Sequence, residues 1–133
     1  MALIEWSAQY SVGVKQFDQQ HRELVRLMNQ LHDAMAAGAG NAALGEVLKR
    51  LIEYTTTHFK AEEAAMTRFG VPGLGPHKIE HDKLRKEVAR FNDDFHTGRV
   101  AMSLAVLEFL RSWLVEHIQK SDKKYGQYLT ALN

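Results

Sequence analysis

Seven histidines and no cysteine are spread along 133 residues, and five of those histidines fall where a helix would otherwise bury leucine. Apolar residues recur at the three- and four-residue spacing of amphipathic helices in four stretches. The first seam reads His21, Leu24, Met28, Leu31, Met35. The second reads Leu44, Leu48, Leu51, Thr55, His58, Glu62, Ala65, Phe69. The third reads His77, His81, Leu84, Val88, Phe91, Phe95, and the fourth Leu107, Leu110, Leu114, His117, Ser121. Gly38-Ala39-Gly40, the segment from Gly70 to Pro76 with both prolines, and Thr97-Gly98 separate the seams. Asp18 and Asn41 are candidate N-caps, and Pro76 suits the first turn of the third helix. The pattern predicts an ordered N-terminal arm over 1–17 and helices over roughly 19–37, 42–69, 76–96 and 101–130. Helices of that length joined by short loops predict one all-α domain over 1–133, an up-down-up-down antiparallel four-helix bundle.

Charge and composition exclude several classes. Seventeen basic and 16 acidic side chains leave a net charge of +1, so there is no field to hold nucleic acid or an anionic membrane. The lack of cysteine excludes disulfides, thiolate metal sites and Cys nucleophiles. No apolar run is long enough to insert in a membrane, and the N-terminus lacks the basic and apolar regions of a signal peptide. These features predict a cytoplasmic protein, and a monomer.

The histidines then define a site. Buried ionisable groups are costly unless paired or metal-bound, and Glu62 interrupts a seam alongside the five histidines. In an antiparallel bundle the start of helix one (His21), the end of helix two (His58, Glu62), the start of helix three (His77, His81) and the end of helix four (His117) share one end of the bundle. His58–Glu62 and His77–His81 are i, i+4 pairs that project from one helix face. Asp122 lies about 140° around an ideal helix from His117 and reaches the site only where that helix is irregular. Five imidazoles exceed one tetrahedral zinc, which points to two metals, and imidazole with carboxylate suits iron. With Glu62 and Asp122 bridging through both oxygens and a bridging hydroxide, two octahedra retain one open position for a small ligand.

The ordered set closely resembles the hemerythrin family, in its bacterial single-domain form. The matching residues are Trp6, Asp18-Gln19-Gln20-His21, His58-Phe59-Lys60-Ala61-Glu62-Glu63, His77-Lys78-Ile79-Glu80-His81, Trp113-Leu114-Val115-Glu116-His117-Ile118, Asp122 and Tyr125. The resemblance implies a non-haem diiron centre with a bridging oxo or hydroxo group. One iron would take His77, His81 and His117, and the other His21, His58 and the open position. Glu62 and Asp122 would bridge. It also implies that Trp113 and Leu114, with Phe59 as a further candidate, line an oxygen pocket. The implied function is reversible dioxygen binding for storage, transport or delivery, by a binding protein rather than an enzyme. Its partner is dioxygen, and any oxygen-consuming partner enzyme is left open. A diiron peroxidase or nitric-oxide-handling enzyme on the same scaffold is the alternative, as is oxygen or redox sensing.

Other readings fit less of the chain. His77-Lys78-Ile79-Glu80-His81 matches the inverted zinc-protease motif, but that leaves His21, His58 and His117 unexplained. Ferritin-like diiron oxidases use Glu-x-x-His at i, i+3 and are carboxylate-rich, unlike the histidine-rich i, i+4 pattern here. His32 falls roughly 16 Å along the axis from His21, and His96 lies outside its seam. Glu63, about 100° around the helix from Glu62, is expected in solvent, as is Glu80. Tyr125 is expected either to hydrogen-bond near Asp122 or only to pack.

Overall fold

The computed structural model describes residues 4–98 and 104–131. Five α-helices build it: α1 (Lys15–Ala36), α2 (Asn41–Arg68), α3 (Leu74–His96), α4 (Leu104–Glu116) and α5 (Lys123–Ala131). A π-helical stretch, His117–Asp122, joins α4 to α5, so the last two form one interrupted rod. The architecture is an all-α antiparallel four-helix bundle, and the described residues contain no strand. The expected start of the fourth helix near Ala101 lies outside the described residues.

Two of the turns close in the same way. Gly38 and Gly70 take φ of +74° and +62°, a left-handed conformation that costs glycine little. Gly38 N–H then donates to Met35 O and Ala39 N–H to Ala34 O, while Gly70 N–H donates to Thr67 O and Val71 N–H to Met66 O. Each helix thereby satisfies its last carbonyls while the chain reverses.

The two helix starts differ from expectation. α1 begins at Lys15, and Asp18 lies in its first turn rather than at the cap. Its carboxylate instead accepts from Val12 N–H (2.8 Å) and from the Ser11 hydroxyl (2.5 Å), tying the arm to the helix. Asn41 is the first residue of α2 and makes no side-chain cap; Gly40 occupies that position.

The arm is strapped along the bundle. Ile4 and the Asn29 side chain exchange two hydrogen bonds, at 2.9 and 2.8 Å, and the Arg22 guanidinium lies 5.3 Å from the Trp6 ring centroid. Buried Gly126 of α5 lets the arm approach closely, since a Cβ there would stand 2.1 Å from Val12 O.

The seams meet in one apolar core. Leu31, Leu48 and Leu107 are fully buried in the half remote from the histidines, each worth about 1.5–3 kcal/mol on burial. The other half of the same core receives the ionisable groups.

Candidate metal centre

His21, His58, Glu62, His77, His81, His117 and Asp122 are all buried and meet at one end of the bundle. Four elements deliver them: α1 carries His21, α2 His58 and Glu62, α3 His77 and His81, and the π stretch His117 and Asp122. That stretch explains how Asp122 arrives. Bonding i→i+5 widens the turn, so a residue five positions on returns to nearly the same face. Asp122 Oδ1 accordingly lies 3.0 Å from His117 Nε2.

Each carboxylate divides its two oxygens between two sets of histidines. Glu62 Oε2 lies 3.3 Å from His21 Nε2 and 3.1 Å from His58 Nε2, whereas Oε1 lies 3.2 Å from His81 Nε2 and 3.6 Å from His77 Nε2. Asp122 Oδ2 faces His21 Nε2 at 3.0 Å, whereas Oδ1 faces His77 at 3.2 Å and His117 at 3.0 Å. Two donor groups result: Glu62, His77, His81, His117 and Asp122, and His21, His58, Glu62 and Asp122. They share both carboxylates.

Protein contacts alone leave this cluster incomplete. His77 Nε2, Glu62 Oε1 and both Asp122 oxygens are buried and face one another or neighbouring histidines at 3.0–3.6 Å, but none of these contacts has well-formed hydrogen-bond geometry. His81 Nε2 and His117 Nε2 face each other at 3.0 Å. Buried polar atoms are almost always satisfied, and a cation at their centre is the ordinary way to satisfy converging lone pairs. The residues present therefore fit a metal, and imidazole nitrogen with carboxylate oxygen fits iron.

Electrostatics follow from burial and pairing. Burial alone would lower the His21 and His77 pKa values, but hydrogen bonds and charge from Asp122 and Glu62 outweigh it and raise each to about 9. Burial would raise Glu62, yet the charge of His58 and bonds from His21, His58 and His77 hold it well below the carboxylate range. Asp122 is opposed by burial and by Glu62, but bonds from His117, His21 and His77 hold it low as well. Buried Tyr125 donates its hydroxyl to Glu62 Oε2 at 2.6 Å. Burial and the neighbouring carboxylates push Tyr125 far up, so it keeps that proton.

Aromatic rings and aliphatic side chains wall the cluster. Phe59 stacks on His81 (centroids 3.7 Å apart, planes 4°), and half-buried Trp113 stacks on His117 (4.4 Å, 16°). Directly beneath lies an apolar cavity of about 40 Å³. Its lining includes Leu24, Thr55, Leu84 and Leu114, each one helical turn from a histidine, together with Phe59 and Trp113. Such a lining offers water few hydrogen-bond partners.

Some expectations change here. Glu63 is not out in solvent: its carboxylate accepts from His81 Nδ1 at 2.7 Å and from Arg85 at 3.2 Å. Turning 100° from Glu62 aims it into the α2–α3 contact rather than into water. Gln20 was also missed as a contributor; its side-chain oxygen lies 2.5 Å from His58 Nδ1. The signals were Arg85, one turn beyond His81, and Gln20 beside His21. Glu80 is exposed as expected, yet accepts from Ser121 at 2.7 Å and stands 3.5 Å from His117 Nδ1. Neither His32 nor His96 reaches the cluster: His32 lies near Asp33, and the exposed His96 ring borders Gly45.

The fold and site define a four-helix, histidine-and-carboxylate metal protein. Residues 12–129 match the family model described as the hemerythrin HHE cation binding domain. The chain is 39% identical to the bacteriohemerythrin of Methylococcus capsulatus over 98% of its own length and 100% of that protein. It is 34% identical to that of Stenotrophomonas maltophilia over 98% of its length and 84% of that protein. A wild-type hemerythrin crystal structure superposes with a TM-score of 0.90 at 38% identity, covering 95% of this chain and 97% of that one. A hemerythrin with a leucine-to-alanine substitution gives 0.91 at the same identity, covering 96% and 97%. The chain belongs to the hemerythrin family, the non-haem iron proteins that bind oxygen. No helix among the described residues is long and apolar enough to cross a membrane.

Proposed function

We propose that this chain binds dioxygen reversibly at two irons. One is held by His77, His81 and His117 and the other by His21 and His58, with Glu62 and Asp122 shared. The observation that carries this reading is the division of each carboxylate's oxygens between the two histidine sets. When bound there, a pair of ferrous ions supplies the two electrons that reversible oxygen binding lends and recovers.

The protein's own residues do the rest. Glu62 and Asp122 offset positive charge in a buried site, where uncompensated charge is costly. Tyr125 fixes the orientation of Glu62 through its retained proton. The smaller donor group, His21 and His58 with the shared carboxylates, leaves room for a ligand. Leu114, Trp113 and Phe59 form an oxygen pocket in the cavity beneath and exclude water and anions from it. Among the described residues no acid or base lines that cavity, so none of them delivers a proton there to drive bond cleavage. This supports a carrier rather than a peroxidase, with the bound oxygen stored or delivered.

Reduction under anaerobic conditions, followed by oxygen exposure and repeated degassing, tests the reading by optical absorption. A carrier cycles between two spectra without consuming reductant. Irreversible conversion with turnover of added reductant would establish the enzymatic alternative.

A further inference from the structure

The outward nitrogens of the histidines distinguish the two donor groups. In the three-histidine group, His81 Nδ1 meets the Glu63 carboxylate at 2.7 Å, while His117 Nδ1 stands 3.5 Å from that of Glu80 without forming a hydrogen bond among the described residues. In the two-histidine group, His58 Nδ1 meets the neutral amide oxygen of Gln20. His21 Nδ1 is buried with no hydrogen-bond partner among the described residues. One hydrogen-bonded carboxylate, Glu63, thus backs the first group, and an amide backs the second.

The chemical consequence is direct. An imidazole that ligates through Nε2 carries its proton on Nδ1 and donates it outward. A carboxylate acceptor draws on that proton more strongly than a neutral amide, and leaves the ring the better electron donor to metal. Glu80 is half exposed and already engaged by Ser121, so its influence is diluted. Glu63 is sheltered, with 14% of its side chain exposed. The Glu63 oxygen that meets His81 also meets Arg85 Nη2 at 3.2 Å. The Arg85 guanidinium in turn lies 5.3 Å from the centroid of Phe59, the ring stacked on His81. Arg85 therefore offsets part of the charge that Glu63 presents.

We infer that Glu63, moderated by Arg85, is a positioning residue that makes the His77, His81, His117 group the more electron-donating of the two. Its metal is held more tightly and kept ferric more readily, an inference that rests on the two-metal reading above.

Zinc and iron separate the outcomes, once circular dichroism shows each variant to be helical. Glu63→Gln keeps an acceptor of the same shape and removes the charge. In calorimetric titration of metal-free protein with zinc alone, one of two binding steps weakens about tenfold while the other holds. In iron-loaded protein the same change shifts the ferric–ferrous equilibrium about tenfold toward ferrous, roughly 59 mV upward for a one-electron couple. Arg85→Met frees the Glu63 charge and moves the potential downward. Loosening of the α2–α3 contact would move both variants the same way, and that result overturns the inference. So does a Glu63→Gln protein with wild-type zinc steps and potential. A single zinc step in the wild type overturns the two-metal reading itself. Two steps that respond as expected, in a protein that shows no oxygen cycling, uphold the role of Glu63 and remove the oxygen function.

Discussion

The two halves of the bundle share helices but not their source of stability. Around Leu31, Leu48 and Leu107 the core is apolar and fully buried, so folding there gains from burial alone. At the other end the same four seams bury His21, His58, Glu62, His77, His81, His117 and Asp122. Those groups cost free energy unless they are well paired or metal-bound, and several of their polar atoms form no hydrogen bond among the described residues. The remote half thus draws its stability from burial alone, while the functional end relies on pairing and on the metal it would hold.

Removing the metal tests that contrast most severely. A ligand present at a thousand times its dissociation constant stabilises by about 4 kcal/mol. Chelation is thus expected to lower the melting temperature by on the order of 10–20 °C. Hydrogen exchange should accelerate around His21, His58 and His117, while the turns around Leu31, Leu48 and Leu107 stay protected. Uniform loss of protection would erase the difference between the halves.

Paired leucine truncations come next. Leu114→Ala enlarges the cavity below the cluster, and Leu107→Ala opens one two turns deeper. Each should cost about 2–5 kcal/mol in chemical denaturation. Only Leu114→Ala should speed autoxidation of the oxygenated protein, because only there does water gain access to the site. Equal autoxidation rates in both variants and wild type would make Leu114 ordinary core.

Tyr125→Phe is the milder probe of the functional end. It removes the hydroxyl bond to Glu62, with an expected loss of about 1.5–3 kcal/mol for a bond to a charged group. The loss should appear in thermal melts of metal-free protein; an unchanged melt would mean that Tyr125 only packs.

The smallest effect is a proton count. With pKa values raised to about 9, His21 and His77 are protonated in the metal-free protein at pH 7.5. Ligation requires neutral imidazole, so metal uptake should release about two protons per chain, and fewer as the pH passes 9. The sign for stability follows from the same shift. Pairing of these histidines stabilises the metal-free fold fully below pH 6.5 and is lost as the pH rises through about 9. A pH indicator in weak buffer measures the release, and none at pH 7.5 would show both rings already neutral.

Much of the site could be read along the chain because helices are periodic. The i, i+4 pairs His58–Glu62 and His77–His81 needed only helix geometry. Collecting them with His21 and His117 at one end needed only short loops between antiparallel helices. Both helix stops at Gly38 and Gly70 were equally local, since a left-handed residue there suits glycine.

What the linear pattern could not supply was anything that depends on which surfaces face each other. Spacing alone left Asp122 off the seam, and the π stretch His117–Asp122 returns it to the cluster. Asp18 looked like a cap, but the arm lies close enough for Val12 and Ser11 to claim its carboxylate. Glu63 looked solvated until α3 packed against α2 and set His81 beside it. Gly126, unremarkable as a helix residue, holds its place because Val12 O leaves no room for a Cβ. Four helices, their order and the histidines at one end are legible because each follows from a repeat within a few turns of chain. The outer hydrogen-bond partners are not, because they come from helices tens of residues apart, and neither is the place of Asp122, because it depends on a π-helical irregularity that no repeat encodes.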